Sequence, residues 1–162
     1  MKGGLILAAQ ALCFCASLQG QSTALCIEDR VHLDARTRAA FDREIDTLLP
    51  ESASAGCGVE ALLVVIAFDA PARCPSSLGL AYSSQARVMP KVEVFLNQVL
   101  RALAGIRAPV PVGRALARVA AHEAAHYFLQ QHGHDRDGLL RERFPEWQLG
   151  ADSSAPFLLV RK

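Results

Sequence analysis

The sequence predicts an α+β fold. Three stretches carry that prediction. Residues 59–68, Val-Glu-Ala-Leu-Leu-Val-Val-Ile-Ala-Phe, form a continuous apolar run with β-branched residues, which reads as a central strand buried on both faces. Residues 36–49 and 111–131 carry apolar side chains at helical spacing. A chain of 162 residues, 51% of them apolar, suits one domain with a real core. Lys plus Arg (17) nearly balances Asp plus Glu (16), and no basic patch is interleaved with aromatics, so no nucleic-acid partner is expected.

Residues 1–24 read as a secretory signal peptide. Lys2 gives a positive start, Leu5 to Ala16 is apolar except for Gln10, and Ser22-Thr23-Ala24 fits a small-x-small cleavage site. A cut after Gly20 is the alternative. The apolar run is short for a membrane span, so no stable insertion is expected after cleavage. The expected mature chain, 25–162, is exported to a periplasmic or extracellular space. It keeps Cys26, Cys57 and Cys74, of which two can pair in an oxidising compartment. A Cys57–Cys74 bridge, closing a short loop around one strand, ranks first.

Residues 25–33 suggest a first strand. Asp34 is placed to cap the helix 36–49, with Phe41, Ile45, Leu48 and Leu49 on its inner side and Pro50 at its end. A Gly-containing loop precedes the central strand, and a Pro-containing loop follows it. Leu78 to Tyr82 reads as a short strand in which Gly79 marks an edge or a close backbone approach. Val92, Val94 and Phe95 alternate as another strand, and Leu96 to Leu103 suits a short helix. Trp147 and residues 157–160 are apolar patches in the tail, expected to pack against the lower part of the domain.

The helix 111–131 contains His122-Glu123-Ala124-Ala125-His126, an H-E-x-x-H. On a helix the two histidines stand about 40° apart around the axis and about 6 Å apart along it. Two imidazoles so placed can hold one zinc ion, with Glu123 beside it as a general base for a zinc-activated water. A catalytic zinc takes three protein ligands. Three residues compete for the third place. His132 has the six-residue spacing of the pattern H-E-x-x-H-x-x-G-x-x-H, but Leu129 stands where that pattern has glycine. Gly133 is the first glycine after the motif, expected to end the helix in the left-handed conformation and to turn His134 back. His134 is therefore preferred, His132 comes second, and Glu146, preceded by Pro145, ranks last. Asp135 and Asp137 are candidates to orient a histidine, and Tyr82 and Tyr127 to steady an oxyanion, although ordinary solvated or packing roles suit all four.

The pattern His122-Glu123-x-x-His126-x7-His134-x3-Gly138-Leu139 resembles small exported bacterial proteins with a metzincin-like helix, known mainly from acidobacterial genomes. Ala121 before the motif and Gly138-Leu139-Leu140-Arg141 after it fit, with Leu140 where those proteins often have Met. Leu78-Gly79-Leu80-Ala81 resembles their edge-strand segment. The resemblance implies a metzincin-like zinc-peptidase domain over residues 25–162. In it a small twisted mixed sheet packs on two main helices, the second carrying the motif, and an edge strand borders the cleft. It also implies an exported zinc metallopeptidase acting on a peptide or protein. His122, His126 and His134 hold the metal, Glu123 acts as base, and the backbone of Leu80 and Ala81 pairs with extended substrate. The alternative is a zinc-binding structural or interaction domain without turnover, its coordination closed by a fourth ligand such as His132 or Asp135.

Overall fold

β1 (Leu25–Asp29), β2 (Leu62–Ala67), β3 (Gly79–Ser84) and β4 (Arg87–Phe95) form one sheet in the order β1-β2-β4-β3. The computed structural model describes residues 24–52, 57–58 and 60–158. The predicted signal peptide falls outside them but for Ala24, as do residues 159 and 160 of the tail. No helix among the described residues is long and apolar enough to cross a membrane.

β1, β2 and β4 run parallel, and β3 returns antiparallel to β4, so the sheet is mixed and β3 is its edge. The class expected from the sequence, α+β, holds. The apolar run does supply a central strand: Leu62, Val64, Val65 and Ile66 are fully buried. The predicted first strand stops four residues early, at Asp29. Its carboxylate accepts the N–H groups of Val31 and Leu33 and folds the chain into a turn, with His32 at φ 56°.

α1 (Ala35–Leu48) connects β1 to β2. Asp34 caps it, accepting from the N–H of Arg36 and of Thr37. Its four predicted inner residues, Phe41, Ile45, Leu48 and Leu49, are all buried. After β4 comes the short α2 (Leu96–Ala102), then the long α3 (Pro109–Leu129). α3 starts two residues earlier than the spacing suggests, because both Pro109 and Pro111 fit its first turn, where no donor is missed. Leu116, Ala117, Ala120, Ala121, Ala124 and Ala125 are fully buried, so α3 is less an amphipathic surface helix than a central post. Its small side chains let α1 on one side and β3 and β4 on another come close.

Behind α3 the chain returns through α4 (Glu146–Leu149) and a 3₁₀ turn, Ala155–Phe157. Trp147 does not pack as expected: it is 72% exposed, and Leu149 and Phe157 fill the core instead. A helix of four residues can bury only one of those faces, and the backbone of 148–149 is held from inside by Arg118.

The expected Cys57–Cys74 bridge is corrected as well. Cys26 of β1 pairs with Cys57, and Cys74 is free. The parallel register sets Leu25 and Cys26 opposite Leu62 and Leu63, which brings the segment entering β2 back to the start of β1. The bridge closes a loop of sequence separation 31 around α1. Cys26→Ser is expected to lower the unfolding free energy by about 2–5 kcal/mol, read as a fall in denaturation midpoint that reducing agent reproduces in the wild type.

Candidate metal centre

His122 and His126 project from consecutive turns of α3 toward the end of the sheet where β3 lies. Their outer nitrogens face each other: the two Nε2 atoms are 3.2 Å apart. The inner nitrogens are both engaged. Nδ1 of His122 donates to the Leu139 carbonyl at 2.7 Å, and Nδ1 of His126 donates to the Gln131 carbonyl at 2.6 Å. A carbonyl only accepts, so each Nδ1 carries the proton and each Nε2 presents a bare lone pair. Two lone pairs at that distance repel unless a cation lies between them. Two nitrogens bound tetrahedrally to one zinc stand about 3.3 Å apart, given Zn–N of about 2.0–2.1 Å. The spacing fits.

His134 completes the group. One ligand atom from each of His122, His126 and His134 lies within 4.8 Å of the other two, close enough for the three to bind a metal ion. The His134 ring stacks on His122 with centroids 5.2 Å apart and meets His126 edge-on at 5.1 Å. Burial holds the imidazole of His122 down to about 4, and burial lowers His126 too. Both therefore stay neutral at ordinary pH, the state in which imidazole is a ligand.

The other two candidates for third place are elsewhere. Nε2 of His132 bonds the Ala86 carbonyl at 3.0 Å, which ties it to the β3–β4 turn. Glu146 opens α4 and is exposed.

His134 arrives by a turn other than the predicted one. The helix ends at Gln130, not Gly133: Gln130 is left-handed, φ 48° and ψ 39°. Gln131 N–H then closes on the His126 carbonyl at 3.1 Å and Gln130 N–H on Tyr127 at 3.2 Å, a Schellman ending. Glycine is the usual residue there, and a side chain in that conformation costs about 1–2 kcal/mol. The Gln130 amide offsets this by bonding both the N–H and the carbonyl of Val88 at 3.1 Å each. It takes the place of a neighbouring strand at the start of β4, where β2 has not yet begun.

Glu123 faces β3. Burial pushes its carboxyl up to about 7, while the amide of Ala81 pulls the other way. The contact is tight because of Gly79: a Cβ there would sit 2.7 Å from Val119 Cγ1 and 2.8 Å from Glu123 Cγ. The close approach read from Gly79 is thus an approach to the motif itself. The Phe95 N–H bonds the Leu78 carbonyl. By antiparallel alternation Leu80 also turns its amide to β4, while Gly79 and Ala81 turn theirs outward. Of the two expected backbone contacts for a substrate, Ala81 faces outward but its N–H is taken by Glu123, which leaves its carbonyl, and Leu80 is turned to β4 and only borders the cleft.

No protein-family model, no curated protein and no solved structure matches the chain. The likeness to metzincin-like proteins therefore stands on the motif residues alone. Around them opens a cleft of about 550 Å³, with β3 as one wall, α3 as its floor and residues 131–134 and 141–144 as the other wall. Tyr82 lies outside it, between the cations of Arg73 and Lys91, and Tyr127 packs beside Phe128. Sequence reasoning missed Gln130 and the two orienting carbonyls, which carry no residue signature. It also missed Arg118, whose signal was present: a lone charge on a helix face of Ala, Leu and Val.

Proposed function

We propose that the chain is an exported zinc-dependent metallopeptidase with a metzincin-like domain. The observation that carries this reading is the pair of bare Nε2 atoms 3.2 Å apart, with His134 beside them and Glu123 next in sequence. A bound zinc supplies Lewis-acid polarisation of a carbonyl and of a water molecule. Everything else falls to the protein. Glu123 takes a proton and returns it to the leaving amine, and a carboxyl pushed up to about 7 suits both transfers near neutrality. The outward backbone of Gly79, with the Ala81 carbonyl, adds an extended peptide to the sheet edge. His132, turned to Ala86, is not the fourth ligand that a purely structural zinc site would call for. Export rests on the signal-like composition of residues 1–24.

A peptide library tests the activity. Metal-stripped protein is expected to leave it intact, and added zinc to restore cleavage. Equal cleavage with and without metal would overturn the proposal. A second expected outcome concerns Gly79→Ala. Its methyl group would lie under 3.0 Å from Val119 and Glu123, so Glu123 or β3 must shift, and misplacement on the scale of 1 Å costs about 100-fold. The variant should lose about 10–100-fold in kcat/KM, more than overpacking, at about 1–3 kcal/mol of stability, can explain while the protein stays folded.

A further inference from the structure

Arg118 is the one buried cation among the described residues, and no step above uses it. It sits one turn before His122 on α3 and is 1% exposed. Its Nε donates to Glu44 of α1 at 2.7 Å. Nη1 donates to the carbonyls of Gln148 at 2.6 Å and Leu149 at 3.0 Å, and Nη2 to that of Ser153 at 3.1 Å. The guanidinium also lies over the Phe157 ring, 4.6 Å from its centroid. Taking such a group out of water is costly, and a buried ion pair is weak evidence for stability. Its geometry points to a different role. A planar fork of donors gathers three carbonyls, two from the end of the four-residue α4 and one from the irregular stretch that follows it.

From that segment two routes lead to the same imidazole. Phe157, under the guanidinium, stacks on Phe144 with centroids 4.3 Å apart, and Phe144 meets the His122 ring edge-on at 6.3 Å. One residue on, the Leu158 carbonyl accepts the Leu139 N–H at 3.3 Å, and the Leu139 carbonyl accepts Nδ1–H of His122 at 2.7 Å. His126 is held differently. Its carbonyl partner, Gln131, belongs to the helix ending and owes nothing to residues 148–158.

We propose that Arg118 is a positioning residue for the metal centre: by clamping segment 148–158 it fixes the Leu139 carbonyl that keeps His122 in its Nδ1–H form and aims its Nε2 at the ion. The part concerning the ion rests on the reading of the three histidines as ligands. The part concerning the ring does not.

The test is Arg118→Lys in the full chain, since one ammonium cannot serve Glu44 and three carbonyls together. Imidazole ¹⁵N–¹H spectra of metal-free protein are compared with zinc affinity. The wild type is expected to show Nδ1–H signals for both His122 and His126. The variant should lose that of His122, keep that of His126, and bind zinc about 10–100-fold more weakly, the usual effect of removing an orienting partner. A general loosening would move both histidines alike, and that result, or no change in either, overturns the proposal. If Arg118→Lys does not fold, Phe157→Leu removes the ring on which the guanidinium lies and so loosens the clamp on segment 148–158 and both routes that leave it. It should weaken zinc binding and disturb the His122 signal while sparing that of His126, and an unchanged His122 signal again overturns the proposal. If the variant loses the His122 signal alone as expected, yet the wild type takes up no zinc, the ligand reading is sunk and the positioning role stands.

Discussion

Glu123→Gln is expected to lower peptide hydrolysis by about 10²–10⁴-fold, the usual worth of a positioned general base, while zinc uptake changes little. The amide is isosteric and can still accept the Ala81 N–H, so the wall of the cleft should stay in place. What it loses is the ability to take a proton. None of the ligand nitrogens belongs to Glu123, and the carbonyls of Leu139 and Gln131 that orient His122 and His126 do not touch it. The measurement is kcat/KM on a peptide cleaved by the wild type, beside a zinc titration of both proteins. Undiminished cleavage by the variant would remove the assigned base. Loss of cleavage together with loss of zinc would show a structural role instead.

A large stability effect is also expected at Gly113. Replacing a mid-helix glycine by alanine ordinarily gains up to about 1 kcal/mol. Here the sign reverses. A Cβ at Gly113 would meet the Thr37 carbonyl of α1, and would lie 2.8 Å from Ala40 Cβ and 2.9 Å from the Phe41 nitrogen. Two of those three atoms are backbone and cannot swing aside, so α1 and α3 must part. Overpacking of this kind costs about 1–3 kcal/mol or more. Gly113→Ala should therefore unfold at clearly lower denaturant, and because α3 carries the turns of His122 and His126, the zinc affinity proposed for them should fall too. Gly133→Ala is the control. Nothing lies within 4 Å of a Cβ there, and the residue is not left-handed. A change within about 0.5 kcal/mol is expected. A large loss at Gly133 would restore it as the helix terminator and contradict the ending at Gln130.

That pair of glycines shows where the sequence is legible. Gly133 looked important because glycine is the residue that most readily turns left-handed. Gln130 does the turning, since its side chain finds Val88 forty-two residues away and gains bonds that a glycine could not make. No local rule contains that partner. The same holds for Cys57. A bridge to Cys74 is the nearer choice along the chain, and a parallel register sets Cys26 beside the entry to β2 instead.

By itself the sequence determined what depends on a few neighbouring residues. Helical spacing put His122 and His126 on one face, a β-branched run made the central strand, Asp34 capped α1, and Gly79 announced a tight approach. These follow from periodicity and backbone sterics, which act over a turn or a pleat. Tertiary structure alone decided the rest: the turn by which His134 arrives, which carbonyls take the inner protons and so bare the outer nitrogens, how close Glu123 lies to β3, and what a buried Arg118 gathers around itself. Those are contacts between segments far apart in the chain. Each is chosen by competition among packings of the whole core, and no short stretch of residues encodes its winner.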